Sequence, residues 1–179
     1  MQFLKKCYEK IFKKPAPYWF RKSFWRLFSG RFRKWFSNSL ASNCPFSGLR
    51  ILLYRMSGFH IGKGTFIGMH CYLDDLCYEW MTIGNNVTIS YGVYFACHGK
   101  NQPDYPIVVK DGAYIGMRAS VISKNADGGT NGVTIGENAV VGACTLVNRD
   151  VPDGATAVGV PCRIIPPKTT GSPDTSKEG

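Results

Sequence analysis

Large apolar residues recur every six positions over more than half of this chain. Ile61, Ile67 and Leu73 set the beat, and Ile83, Ile89 and Phe95 repeat it. Val109, Ile115 and Val121 carry it on, followed by Ile135, Val141 and Val147. Fifth positions are small almost throughout: Thr65, Cys71, Cys77, Val87, Val93, Ala113, Ala119, Ala139 and Thr145. A period of six matches neither the 3.6 of an amphipathic helix nor the strict alternation of a half-buried strand. It matches a β-solenoid, in which each hexad is a short strand plus a turn and three hexads close one triangular coil. The repeats therefore predict an all-β solenoid of about four coils over residues 61–166. Large side chains fill the prism, and small ones sit where the corners leave little room.

The chain ahead of the repeats follows another pattern. Leu49, Ile51, Leu52, Leu53 and Met56 predict a short amphipathic helix within 49–60 that caps the first coil, since a bare end coil exposes its core. Residues 1–48 read as a separate helical region and linker. On a helical wheel Phe20, Phe24, Trp25, Phe28, Phe32, Trp35 and Phe36 share one side, while Lys22, Arg26, Arg33 and Lys34 take the other and Arg21 and Arg31 intrude on the apolar side. Pro15 and Pro17 part this helix from a shorter basic one over roughly 3–13. Residues 37–48, rich in Ser, Asn, Pro and Gly, read as the linker. The polar tail, 167–179, is expected to be disordered.

Charge sharpens this division. The net charge is +10, and residues 1–60 carry 13 Lys and Arg against the single acid Glu9. The remaining 119 residues carry 9 basic and 11 acidic side chains. No run approaches the ~20 apolar residues needed to span a bilayer, and arginines interrupt any secretory apolar region. An aromatic face backed by Lys and Arg fits the interface of an anionic leaflet. That points to a cytoplasmic protein attached through residues 2–36 to the inner face of the membrane. Packing of the stripe on the solenoid or between subunits is the competing reading. Single-stranded nucleic acid is disfavoured, because the aromatics form one continuous face rather than separate stacking platforms. The seven cysteines lack the spacings of a zinc site or redox pair. Cys71, Cys77 and Cys144, within hexads, read as small buried residues in a reducing compartment.

The interruptions of the beat carry the chemistry. Register is lost at 79–82, 100–108 and 125–134, each time after a third hexad, so three loops are expected to leave one corner of the prism. His98 stands at that corner, with Asp74 and Asp75 one coil below and Lys124 one coil above. Loops gathered on one edge of a rigid scaffold are a usual place for a site. Imidazole exchanges a proton near neutral pH without special tuning, which makes His98 the candidate catalytic base. Asp74 or Asp75 could orient its ring, bind an acceptor hydroxyl, or simply serve the turn. His60 and His70 read as surface residues, and Cys97 is expected to point inward.

These residues carry a resemblance. The segments MTIGNNVTISYGVYFACH (81–98, with Met81 in place of the first apolar residue), AYIGMRASVIS (113–123), GVTIGENAVVGACTLVNRDVP (132–152) and VGVPCRII (158–165) resemble the hexapeptide-repeat acyltransferases. The branch is that of maltose and galactoside O-acetyltransferases, closest to bacterial acetyltransferases of capsule, O-antigen and colanic acid synthesis. The resemblance implies a left-handed parallel β-helix and a homotrimer with active sites between prisms. It also implies acetyl-CoA as co-substrate, no metal, and a sugar acceptor. His98 would then be the general base, with Asp74 and Asp75 on the acceptor side. Met117 and Ala143 would line the donor groove, and Asn148, Arg149 and Arg163 would meet the CoA phosphates and adenine end. Solvated surface charge is the plain alternative for the two arginines. Three departures set this chain apart: Gly99 and Lys100 follow His98 where the family often has an Asp, KNADGGTN (124–131) replaces a short Pro-Gly link, and the basic aromatic N-terminus is unlike the neutral helical cap of the soluble sugar enzymes. N-acetylation of an amino sugar or nucleotide sugar is the alternative enzyme reading. A nucleic-acid-binding or scaffold solenoid is the non-enzyme one.

Overall fold

The computed structural model describes residues 8–14, 32–75, 78–97, 105–123 and 132–167. His98, Lys124, Cys77, the aromatic positions of 15–31, the 124–131 insert and the tail beyond 167 lie outside the described residues. Three parallel sheets form the faces of a prism. The first stacks β1 (His60–Ile61), β3 (Met81–Ile83), β6 (Ile107–Val109) and β9 (Val133–Ile135). The second stacks β2 (Phe66–Ile67), β4 (Thr88–Ile89), β7 (Tyr114–Ile115), β10 (Val140–Val141) and β12 (Thr156–Val158). The third stacks β5 (Tyr94–Ala96), β8 (Ser120–Ile122) and β11 (Leu146–Val147), with Tyr72 bridged beneath Tyr94.

Register follows the hexads. Ile61 pairs with Ile83, Ile83 with Val109 and Val109 with Ile135. On the third face Phe95 pairs with Val121 and Val121 with Val147. Each first-position residue thus lies above its counterpart one coil earlier. All but the partly buried Ile61 are buried in one continuous core, and all the described fifth positions are buried too. The stack continues past the last hexad: Val151 bridges to Ile135 and Ala157 pairs with Val141. β13 (Arg163–Ile165) then turns back antiparallel on β12 and closes that end.

Fourth positions explain much of the turn chemistry. Gly64, His70, Asn86, Gly92, Gly112, Arg118, Asn138 and Cys144 all have φ between 53° and 70°, the left-handed region that most residues avoid. His70 and Cys144 therefore hold a turn position. The expectation that Cys144 is buried is corrected here: the turn leaves it exposed, while Cys71 is buried. Coils also approach closely at second positions, where a Cβ on Gly116 would come within 2.5 Å of the Ala143 backbone nitrogen.

Helical residues 32–35 run into a π-helical turn, Phe36–Ala41, which packs against α1, Ser47–Met56. α1 lies against the first coil through Arg50 and Tyr54. The Arg50 guanidinium donates to the carbonyls of Ile67 (2.7 Å) and Cys44, and the Tyr54 hydroxyl donates to the Cys71 carbonyl at 3.1 Å. Among the described residues no helix is long and apolar enough to cross a membrane.

Candidate active site

The third strand of each coil ends at one edge, and the register breaks start there. Ala96 pairs with Ile122, and the Ser123 nitrogen donates to the Ala96 carbonyl at 2.9 Å. Below them, Asp74 Oδ2 accepts the backbone N–H of Cys97 at 3.0 Å. Cys97 and Tyr105 flank residues 98–104, which lie outside the described residues, and the Tyr105 nitrogen donates to the Cys97 carbonyl at 2.8 Å. Asp75, Cys97 and Ser123 thus occupy equivalent positions in three successive coils. His98 follows Cys97 directly in the chain.

Both carboxylates are buried. Asp75 Oδ1 accepts a hydrogen bond from Asn38 Nδ2 at 3.2 Å, and its Oδ2 has no hydrogen-bond partner among the described residues. Burial pushes the Asp75 carboxyl above its ordinary range, and the Asp74 charge adds to this. Lys34 and, more weakly, Arg33 oppose it. Ser123 Oγ, one of the buried polar atoms of the same column, also lacks a partner among the described residues. An unpaired buried carboxylate oxygen is costly unless a ligand or solvent completes it. Beside this edge Tyr72 and Tyr94 stack with centroids 4.5 Å apart and planes 10° apart. Burial raises the Tyr94 phenol, with Asp74 and Asp75 adding to the shift.

The remaining sequence-derived residues fall elsewhere on the prism. Met117 and Ala143 are exposed on successive coils at the corner between the second and third faces, joined by a bond from Cys144 N to Met117 O at 2.8 Å. Arg163 lies at the top of the same corner, since Val158, its partner, follows Ala157 in register over Val141. Asn148 and Arg149 follow β11, at the opposite end of the third face. Even so, the Arg149 charge is felt at Cys162, the residue before Arg163, where it works against the upward push of burial on the thiol. Among the described residues no group of three or more His, Cys, Asp or Glu could hold a metal ion.

Sequence reasoning missed two contributors. Asn38 was read as linker, yet it contacts Asp75. Arg33, on the basic side of the helical wheel, stacks 3.7 Å above the Tyr78 ring. Neither long-range contact leaves a periodic signal.

No protein-family model matches the chain. It is similar to YvoF of Bacillus subtilis (strain 168), provisionally named an acetyltransferase, at 34% identity over 130 residues, 70% of this chain and 71% of that one. A serine acetyltransferase of the same organism matches at 34% over 113 residues, 61% of this chain and 48% of its own. The galactoside O-acetyltransferase of Escherichia coli (strain K12) matches at 33% over 120 residues, 61% and 54% of the two chains. The chain thus spans about half the length of these last two. Among solved structures, a hexapeptide-repeat acetyltransferase of Vibrio cholerae superposes with a TM-score of 0.53 at 26% identity, covering 79% of this chain and 89% of that one. A maltose O-acetyltransferase from Clostridium difficile 630 gives 0.64 at 22% identity, a likeness of fold, over 88% and 94%. With the repeat, the stacked register and these relatives in place, the chain belongs to the hexapeptide-repeat acetyltransferases. It is an acyltransferase.

Proposed function

We propose that the protein is an acetyl-CoA-dependent O-acetyltransferase acting on a sugar hydroxyl of a lipid-linked or polysaccharide precursor at the inner face of the cytoplasmic membrane. One observation carries the reading: the buried pair Asp74 and Asp75 stands at the edge where the loops leave, with Asp74 bonded to the residue before His98. In this reading His98 takes the proton of the acceptor hydroxyl as its oxygen attacks the thioester carbonyl. The tetrahedral oxyanion then collapses, and the CoA thiolate leaves and is protonated. Asp75, with one oxygen open, orients either the imidazole or the acceptor.

The donor is assigned to Met117, Ala143, Asn148, Arg149 and Arg163. Met117 and Ala143 lie across the third face from the carboxylate edge, which supports a homotrimer in which the second corner of one prism meets the third of its neighbour. The outer face of the second sheet supports the same assembly, because it exposes Phe66, Tyr114 and Val140. Membrane attachment is supported by exposed Phe32 and Trp35 beside Arg33 and Lys34. The galactoside enzyme supports a sugar acceptor. The serine acetyltransferase supports a second reading, with the amino acid serine as acceptor.

The test is CoA release from acetyl-CoA by wild type and His98→Ala, offered soluble sugars, serine or a lipid-linked oligosaccharide extract. Turnover with the extract, lost in His98→Ala, is expected. Turnover with serine alone selects the second reading, and activity that survives loss of His98 overturns the mechanism.

A further inference from the structure

The helix that closes the first coil is turned the wrong way round for a cap facing water. Its polar-tipped residues Arg50 and Tyr54 are 2% and 0% exposed and spend their polar groups on three solenoid and loop carbonyls. Leu49, Leu52 and Met56 face out, at 46%, 51% and 68% exposed, with Phe46, just ahead, at 71%, while Leu53 packs on the core. Spacings of three and four place these on one stripe. Leu40, on the packed neighbouring turn, is exposed as well, as are Phe32 and Trp35, whose ring centroids lie 6.0 Å apart. Apolar surface gathered in this way marks a contact.

We propose that the outward face of α1, with Phe46, seats in the headgroup boundary of an anionic bilayer, so that the solenoid stands with its first coil against the leaflet. The inference rests on the membrane reading above and adds the surface and orientation that reading lacks. Charge selects the occupant. Between residues 10 and 73 there is no Asp or Glu, while Arg33, Lys34, Arg55 and Lys63 fall in the described part of that stretch of sequence. A second copy of the chain would bring two basic faces together, which costs free energy, whereas anionic lipid matches them. Apolar side chains flanked by bases are the composition of a helix lying in the interface.

The orientation has a consequence for the site. Asp74 and Asp75 belong to the first coil, and Asn38 of the packed turn touches Asp75. Strands stack at roughly 4.8 Å, so the carboxylate edge rises only one or two strand spacings above α1. An acceptor held in the leaflet by a lipid tail meets that edge without leaving the membrane.

The test is sedimentation of the full chain with phosphatidylcholine vesicles, with and without phosphatidylglycerol. Wild type is compared with Leu52→Ser/Met56→Ser and with Val160→Ser, an exposed apolar position at the opposite end of the stack. Expected is binding of wild type and Val160→Ser to the phosphatidylglycerol vesicles, and binding about ten-fold or more weaker for the α1 double variant, with circular dichroism and melting temperature unchanged. Wild-type binding matched by the double variant overturns this proposal and leaves attachment to the arm. No wild-type binding overturns the membrane reading itself. A change in oligomer mass, with vesicle binding intact, assigns the stripe to contact between copies. A lower melting temperature with intact binding assigns it to a cover within the chain, and either result overturns the proposal.

Discussion

Asn38 and Asp75 are joined by a 3.2 Å hydrogen bond across 37 positions of the chain, which ties the helical arm to the edge where the loops leave. Because burial raises the Asp75 carboxyl above its ordinary 3.8, the folded state favours its protonated form. The stability this contributes is complete below pH about 3.8 and is lost as pH rises through the elevated folded value. Asp75→Asn carries no such dependence. The melting temperature of Asp75→Asn relative to wild type is therefore expected to improve from pH 4 to pH 7. A gap that moves the other way sinks the assignment.

Arg50 is a buried cation whose partners are carbonyls. Arg50→Met leaves these acceptors without their donor and should cost about 2–4 kcal/mol in urea unfolding. Tyr54→Phe removes a single neutral bond to Cys71 and should cost roughly 1 kcal/mol. Equal losses for the two variants would show that packing, rather than carbonyl recognition, seats α1.

The two buried hexad positions respond oppositely to size. Ile115→Ala, at a fully buried first position, should cost about 2–5 kcal/mol by opening a cavity. Ala119→Leu, at a fully buried fifth position, should cost roughly 1–3 kcal/mol by overfilling a corner. Denaturant midpoints at constant slope are the readout.

Arg149 and Arg163 near the last coil are assigned to phosphates. Each alanine variant should raise KM for acetyl-CoA about ten-fold while kcat stays, as loss of one charge-assisted contact does. With 3′-dephospho-acetyl-CoA as donor, the effect of whichever arginine meets the 3′-phosphate should vanish. A uniform fall in kcat would place these residues in folding instead.

Much of this architecture was legible because the solenoid writes its core as a period. First and fifth positions are buried as their size predicts, and Ile61, Ile83, Val109 and Ile135 pair as their numbering requires. The fourth position was not legible, because Gly, His, Asn, Arg and Cys all occupy the left-handed turn. Backbone conformation there is imposed by the coil, not by residue type. The orientation of α1 was hidden as well. Counting apolar residues in 49–60 gives an amphipathic helix, but it cannot reveal that Arg50 and Tyr54 face in. The carboxylate edge could be located from the register breaks, whereas its contact with Asn38 needed three dimensions.

Ala96 over Asp74 and Ile122 over Ala96 form a column, and each register break joins the third face of one coil to the first face of the next. An excursion can therefore lengthen, shorten or change sequence without altering the pairing of the strands above or below it. The stack acts as a fixed chassis, and the excursions are interchangeable fittings along one side of it. Within such a molecule, preference for a new acceptor can arise by exchange of an excursion other than the one that carries His98, so that the acyl-transfer machinery stays in place.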